Sequence, residues 1–538
     1  MSARLPIQVT PNMVDRVVSY FSPERGRARL QARAQMAITS SYIGADRSRR
    51  SMRNWWTTSR SADDDLLPDL PLLRERSRDL LRNTPIAVGA VNSTVTNVVG
   101  TGLAVQPAID AEFLGLSEDE ANEWQKRTAR EFRLWAENPL ECDATGVQNF
   151  YGIQDLGFRT ALATGDAVAT LPSIKRRDGV YGTKVQMIDS DRLSAPWGRM
   201  ADPTVYGGIE VDGAGMPIAY HIANHFPGAA FVKTTLDWDR VPARGAKTGR
   251  CNVVHAFRRT RPDQRRGEPF LATVIEPLKQ LDRYTEAEIM AAVISGMFTV
   301  FIQHTDPADS TGAPTMAQTA PGVAPDMTLG SGAIVDLAAG ESINAANPGR
   351  PNSAFDPFVQ AVLRQIGAAL ELPFEILVKH FSSSYSASRA AILEAWRFYK
   401  VRRMWLADNF CQPIYQTWLA EAIAMGRIHA PGFFSDPLRR QAWSRAVWLG
   451  DGASSLDPLK EVLATEKRLE LGLTTQAEET AAYDGGDWEA KTAQRSKERK
   501  AFQAAGLWPP ANPATGATTT PVPSDAGPPD DVTERVVE

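Results

Sequence analysis

The apolar run Ile289–Ile302, IMAAVISGMFTVFI, constrains this chain more than any other segment. Its 14 residues carry no charge and fall short of the ~20 needed to cross a bilayer as a helix. A stretch this apolar must bury itself against protein. It closes a helix predicted over 276–302, opened by Pro277 in its first turn and about 40 Å long. Residues 303–353 then become rich in Pro, Gly, Ala and Thr, with few charges and no lysine. Within them GAIVDLAAGESI reads as a small β element. A shorter helix is predicted over 355–372. A second long one follows over 388–425, kinked or broken at Pro413. Two long helices around a charge-poor insertion form an architectural pattern, not a catalytic one.

The 538 residues suffice for roughly three to five compact units. Net charge is −4, from 59 basic and 63 acidic side chains. A chain built to grip nucleic acid carries a basic excess, because phosphate neutralisation drives that affinity. Here any DNA contact must be local or weak. Cys142, Cys251 and Cys411 are far apart and make no CxxC, which predicts buried thiols in a reducing compartment rather than a metal ribbon or disulfide framework. The start of the chain lacks the apolar core of a signal peptide. No lipid-facing stripe is found, so no membrane is expected.

Residues 1–65 read as an arginine-rich, partly disordered arm that ends in Trp55, Trp56 and the acidic run Asp63–Asp65. Two helices follow, broken at Asn83-Thr84-Pro85, with Thr84 as cap and Pro85 at the first helical position. Gly100 and Gly102 end the second. Residues 117–138 form an amphipathic helix with a Ser117/Glu120 capping box. Residues 166–262 switch to short glycine-punctuated strands with a hairpin turn at 212–215. The fold class is therefore helix-rich α+β. Helices are predicted at 437–449, 457–471, 474–483 and 487–505. The last 32 residues, with seven prolines, are predicted to be disordered.

A search for chemistry comes back empty. His221 and His225 are spaced i, i+4, but the residue after His221 is Ile222, where a metalloprotease helix needs glutamate, and the segment alternates as a strand. Gly245–Gly249 lacks the adjacent Gly-Lys of a phosphate-binding loop and reads as an exposed turn. Gly100-Thr101-Gly102 ends a helix instead of opening one. No nucleophile elbow occurs. No catalytic residue, metal or cofactor is expected. What remains is the loop Lys379–Ser388, with five serines in its last seven residues, followed by a helix bearing Arg389, Arg397, Lys400, Arg402 and Arg403.

At these residues the chain resembles the lambda-type portal proteins of tailed bacteriophages. One block is LLRERSRDLLRN (72–83) with Val98-Val99-Gly100. A second runs from His255-Ala256-Phe257 through RPDQRRG (261–267) to Pro269. A third is SYSASR (384–389) with Trp396, Arg402-Arg403 and Trp418-Leu419. The fourth is Asp457-Pro458-Leu459-Lys460 with Gly485-Gly486-Asp487-Trp488. Their order is preserved. The resemblance implies a portal fold assembled as a dodecameric ring around a DNA channel. It implies a wing at 66–275, stem helices at 276–302 and 355–372, a clip at 303–354, a tunnel loop and long helix at 373–429, crown helices at 430–506 and a tail at 507–538.

By the same resemblance, the tunnel loop would bring Lys379, His380, Ser382, Ser383, Ser384, Tyr385, Ser386 and Arg389 to the DNA. Arg397, Lys400, Arg402 and Arg403 are candidate channel-facing cations. The implied partners are other copies of the chain, double-stranded DNA held without sequence preference, the terminase large subunit, head–tail connector proteins, and major capsid or scaffold proteins. The implied location is the capsid vertex of a virion assembled in the host cytoplasm. The alternatives are a head–tail adaptor or another ring-forming structural protein, and behind these a DNA-processing enzyme.

Overall fold

Regular structure begins well before residue 66. A computed structural model of the chain describes residues 12–39, 45, 49–200, 202–229, 235–296, 300–304, 341–345, 352–381, 384–452 and 458–507. They fall into two units, 1–65 and 66–538. In the first, the arm folds into helices α1 (Met13–Phe21) and α2 (Pro23–Thr39). Helices thus occur within the segment read as a partly disordered arm. Asn12 and Asp15 form a capping box at the start of α1. Asp15, fully buried, also accepts a hydrogen bond from Arg29 Nε of α2 at 3.0 Å. A Cβ on Gly26 would collide with Ser19, so glycine lets the two helices approach closely. The short helix α3 (Ala62–Leu66) follows.

The second unit starts with α4 (Leu70–Asn83) and α5 (Pro85–Val98), broken at Thr84 as predicted. Thr84 makes no side-chain cap. Its hydroxyl donates instead to Asp282 at 2.6 Å. Next come β1 (Ala104–Pro107), α6 (Ala111–Leu114), α7 (Glu118–Glu137), α8 (Pro139–Cys142) and α9 (Phe150–Thr164). The Ser117/Glu120 capping box opens α7. The strand-rich region holds β2 (Asp166–Thr170), β3 (Gln186–Ile188), β4 (Val205–Tyr206), β5 (Ile209–Val211), β6 (Pro217–Ala223), β7 (Trp238–Pro242) and β8 (Val253–Phe257). They form an antiparallel sheet of order β3-β2-β8 and an antiparallel meander β4-β5-β6-β7. Asp212–Gly215 turns the hairpin between β5 and β6, with Gly215 at φ 84°.

Helix α10 (Ile275–Gly296) is shorter than predicted. The apolar run does not complete it: Val300–His304 is strand β9, paired antiparallel with β10 (Glu341–Ala345). Gly296 weakens the helix, and the following Phe, Thr, Val and Ile favour extended backbone. The rest of the clip segment, 305–340 and 346–351, lies outside the described residues. Tyr284 of α10 packs on Phe355 and Phe358 of α11 (Phe355–Ala369). That helix ends before the predicted Leu372, and Glu371 takes a left-handed φ of 57°.

The remaining elements are α12 (Phe374–Val378), α13 (Tyr385–Leu406), one π-helical turn at Ala407–Cys411, α14 (Gln412–Ala424), α15 (Pro437–Trp443), β11 (Ala446–Leu449), α16 (Pro458–Glu470), α17 (Gln476–Asp484) and α18 (Trp488–Ala504). The helix predicted over 437–449 stops at Trp443, and its last residues pair as β11 with β1. The tail from residue 508 lies outside the described residues.

The main core gathers α5, α7, α9, α11–α14 and the β2 sheet. At its centre Phe132, Trp135, Phe150, Tyr415 and Trp418 pack ring to ring, with Phe132 to Trp418 at 4.9 Å between centroids. A smaller core lies between the two sheets, around Val168, Ile188, Ile209 and Tyr220. In contrast, α16, α17 and α18 bury no residue.

Candidate functional site

The candidate segment is built on the end of α12 and the start of α13. Lys379 ends α12 in a left-handed conformation at φ 54°, its N–H bonded to the Glu375 carbonyl. Lys379, His380 and Phe381 are exposed. Ser382 and Ser383 lie outside the described residues. Ser384 caps α13, its hydroxyl accepting from Ala387 N at 3.5 Å. The helix therefore starts at Tyr385, three residues before the predicted Ser388, and the serine loop is shorter than its composition suggests. Ser384 and Ser386 are exposed and Arg389 is half-buried. The Tyr385 side chain lies outside the described set.

The four basic residues farther along α13 divide into two pairs. Arg397 and Lys400 are exposed, and Arg397 pairs with Glu394 at 3.3 Å. Arg389, Leu393, Arg397, Lys400 and Met404 follow one another at helical spacing, which puts them on one face. Arg402 is largely buried between Phe270 and Phe398, 3.8 Å from Glu371, and burial lowers its pKa to about 10. Arg403 donates from Nε and Nη2 to the Val98 and Asn97 carbonyls, each at 2.9 Å. It also lies over Trp396. These last two cations tie α13 to other elements of the chain.

The α13 rod continues into the core through the π turn. Pro413 offers no N–H and would crowd the carbonyl four residues back. One wider turn just before it accommodates both faults, so the chain passes Pro413 without breaking. A cleft of about 590 Å³ opens between α11 and α13, lined by Arg364, Glu371, Phe374, Arg397, Phe398 and Val401 among others.

A second polar centre escapes sequence inspection. Asp166, at the start of β2, has no exposed surface. Its carboxylate accepts from Arg266 Nε at 2.8 Å, Gly267 N at 2.7 Å and His255 Nε2 at 3.1 Å, and from Arg74 Nη2. Arg74 belongs to the first resemblance block, and His255 and Arg266 to the second. Both blocks thus meet at a residue in neither. Burial acts to raise the Asp166 pKa, but Arg266, His255 and Arg74 outweigh it and hold the carboxyl well below the usual carboxylate range. Burial pushes the His255 pKa down, which favours a neutral ring donating to Asp166. Burial, with Arg266 nearby, lowers Arg74 to about 10.

His221 lies on strand β6, not on a helix, bonded at 3.2 Å to Glu210, which also holds Arg199 and Arg240. Among the described residues no cluster of His, Cys, Asp or Glu could hold a metal ion, and no helix is long and apolar enough to cross a membrane.

Residues 48–403 match the model of the family described as phage portal protein, lambda family. Portal protein B of Escherichia phage lambda is 26% identical over 481 residues, covering 86% of this chain and 89% of that protein. The portal protein of Escherichia phage N15 is 27% identical over 483 residues, covering 86% and 90%. Among solved structures, the neck of a native gene transfer agent particle, computed with C12 symmetry, aligns over 70% of this chain and 93% of that one at 14% identity, with a TM-score of 0.41. The neck of the empty particle, computed with C6 symmetry, gives 15% identity and a TM-score of 0.40. On the family match, which covers most of its length, the chain belongs to the lambda family of phage portal proteins.

Proposed function

We propose that copies of this chain form a ring at one vertex of a phage capsid, the conduit for DNA packaging and ejection. The carrying observation is the family match over residues 48–403. The head–tail adaptor alternative draws no support from the relatives, both of which are portal proteins. The role is structural. The ring is a dodecamer, closed by a head-to-tail interface, and it forms in the host cytoplasm before taking its place in the virion. It docks the terminase large subunit, head–tail connectors, and major capsid or scaffold proteins.

Duplex DNA passes through without sequence readout. Residues 379–389, with Arg397 and Lys400, face the channel. The exposure of Lys379, His380, Ser384, Ser386, Arg397 and Lys400 supports that reading. Arg402 and Arg403, occupied within the subunit, leave the set. Negative-stain imaging and sedimentation of the purified chain test the ring. The expected result is an annular particle with a central hole. A well-folded monomer at micromolar concentration overturns it.

A further inference from the structure

Charge is unevenly distributed along the chain. Residues 1–60 hold eleven arginines, no lysine and three acidic residues, Asp15, Glu24 and Asp46, a net charge of +8. The whole chain is −4, so the remaining residues carry −12. Asp63–Asp65 close the N-terminal unit and still leave it at +5. Most of this unit lies ahead of residue 48, where the family match begins.

The unit is not a random basic tail. Helices α1 and α2 are locked together through buried Asp15, which accepts from Asn12 N in the α1 capping box and from Arg29 of α2. That interaction consumes an acidic residue inside the unit. Arg16, Arg25, Arg27, Arg50 and Arg53 are exposed, and Trp55 and Trp56 are 68% and 85% exposed.

We propose that the exposed arginines of residues 12–39 and 49–60 form a binding site for the phosphate backbone of duplex DNA. The inference rests on the portal reading, which is what brings DNA to the chain. Arginine presents a planar fork that grips phosphate through two bonds, whereas lysine acts as a point charge. An all-arginine cation set is the chemistry of phosphate recognition. Basic N-terminal segments with few compensating acids bind nucleic acid without sequence readout. The indole faces of Trp55 and Trp56 add surfaces on which guanidiniums stack. In a ring every subunit brings one such unit, so interactions that are weak singly combine by effective concentration. The channel segment has the opposite character: serines and a few flanking cations, suited to release. The chain thus separates a site that holds DNA from a surface that lets it slide.

The test compares full-length wild-type assemblies with a variant carrying Arg25→Ser, Arg27→Ser, Arg50→Ser and Arg53→Ser. Fluorescence anisotropy follows a labelled random-sequence duplex over a range of salt concentrations. Wild type is expected to bind with a steep salt dependence. The variant is expected to lose affinity on the order of tenfold or more at low salt, with the salt slope reduced by about 0.9 for each phosphate it no longer neutralises. Unchanged binding and slope overturn the proposal. Tighter binding of polyglutamate than of the duplex at equal charge concentration also overturns it, and points to an acidic protein partner. Negative-stain images of the same samples separate the two ideas. Rings with unchanged DNA binding defeat this site alone, and absence of rings in the wild type defeats the portal reading.

Discussion

Asp166 accepts hydrogen bonds from three side chains and one backbone N–H, with no exposed surface of its own. Asp166→Asn removes the charge that Arg74 and Arg266 face, leaving two guanidiniums buried near each other. A loss of about 3–5 kcal/mol in unfolding free energy is expected, read from denaturant titration. The pH dependence has a definite sign. The folded His255 pKa lies below its ordinary 6.5. Unfolded chains therefore bind the proton first, and stability declines as pH falls below about 6.5. Asp166 is depressed below 3.8, so its contribution is intact above that value and disappears further into acid. Replacing His255 with Gln should flatten the decline below about pH 6.5; a slope equal to wild type would show that other groups carry it. None of this was legible in the sequence. Asp166 is a single carboxylate in a short strand, and Arg74 and Arg266 lie 92 and 100 residues away.

At the scale of elements, pattern revealed what the caps and periodicities control. The break at Pro85, the Ser117/Glu120 box and the 212–215 turn each follow from local chemistry and each is present. The apolar run Ile289–Ile302 misled, because hydrophobicity alone does not distinguish a buried helix from a helix followed by a strand. Only its β-branched and aromatic second half carried the signal for β9. Strand β11 escaped notice for a related reason: its partner β1 lies far away in sequence, with Ala104 opposite Leu449. The π turn at 407–411 was visible only as a fault at Pro413. It turns Phe410 against α9, where a Cβ on Gly157 would come within 3.0 Å of the ring. Gly157→Val should therefore overpack this joint and cost about 1–3 kcal/mol. A thermal scan showing no loss would mean the joint relaxes freely.

At the scale of the whole molecule, the exposed α13 face and the serine cap ahead of it set the last prediction. Each fixed phosphate contact adds about 0.9 to the salt slope of binding, so a ring of arginines multiplies a modest local charge into a clamp. If the segment lines the channel as proposed, its serine hydroxyls can exchange hydrogen bonds with passing phosphates without the charge that would hold them. The cations in this segment are already reduced: Arg402 and Arg403 are turned inward, and Arg397 is partly neutralised by Glu394. Replacing Ser383 and Ser384 with Arg restores what the segment lacks. Ser384→Arg also removes the α13 cap, a cost of about 1 kcal/mol that is small beside the packing of α13. Rings should therefore assemble as in wild type, while the yield of DNA-filled heads falls in a packaging assay. Ser384→Asp, which keeps a capping oxygen and adds the opposite charge, should assemble rings and fill heads without the clamp. If the Arg variant packages DNA at the wild-type level, these residues do not line the channel. If both variants fail equally, neither a phosphate clamp nor loss of the helix cap explains the defect, because Asp retains the cap.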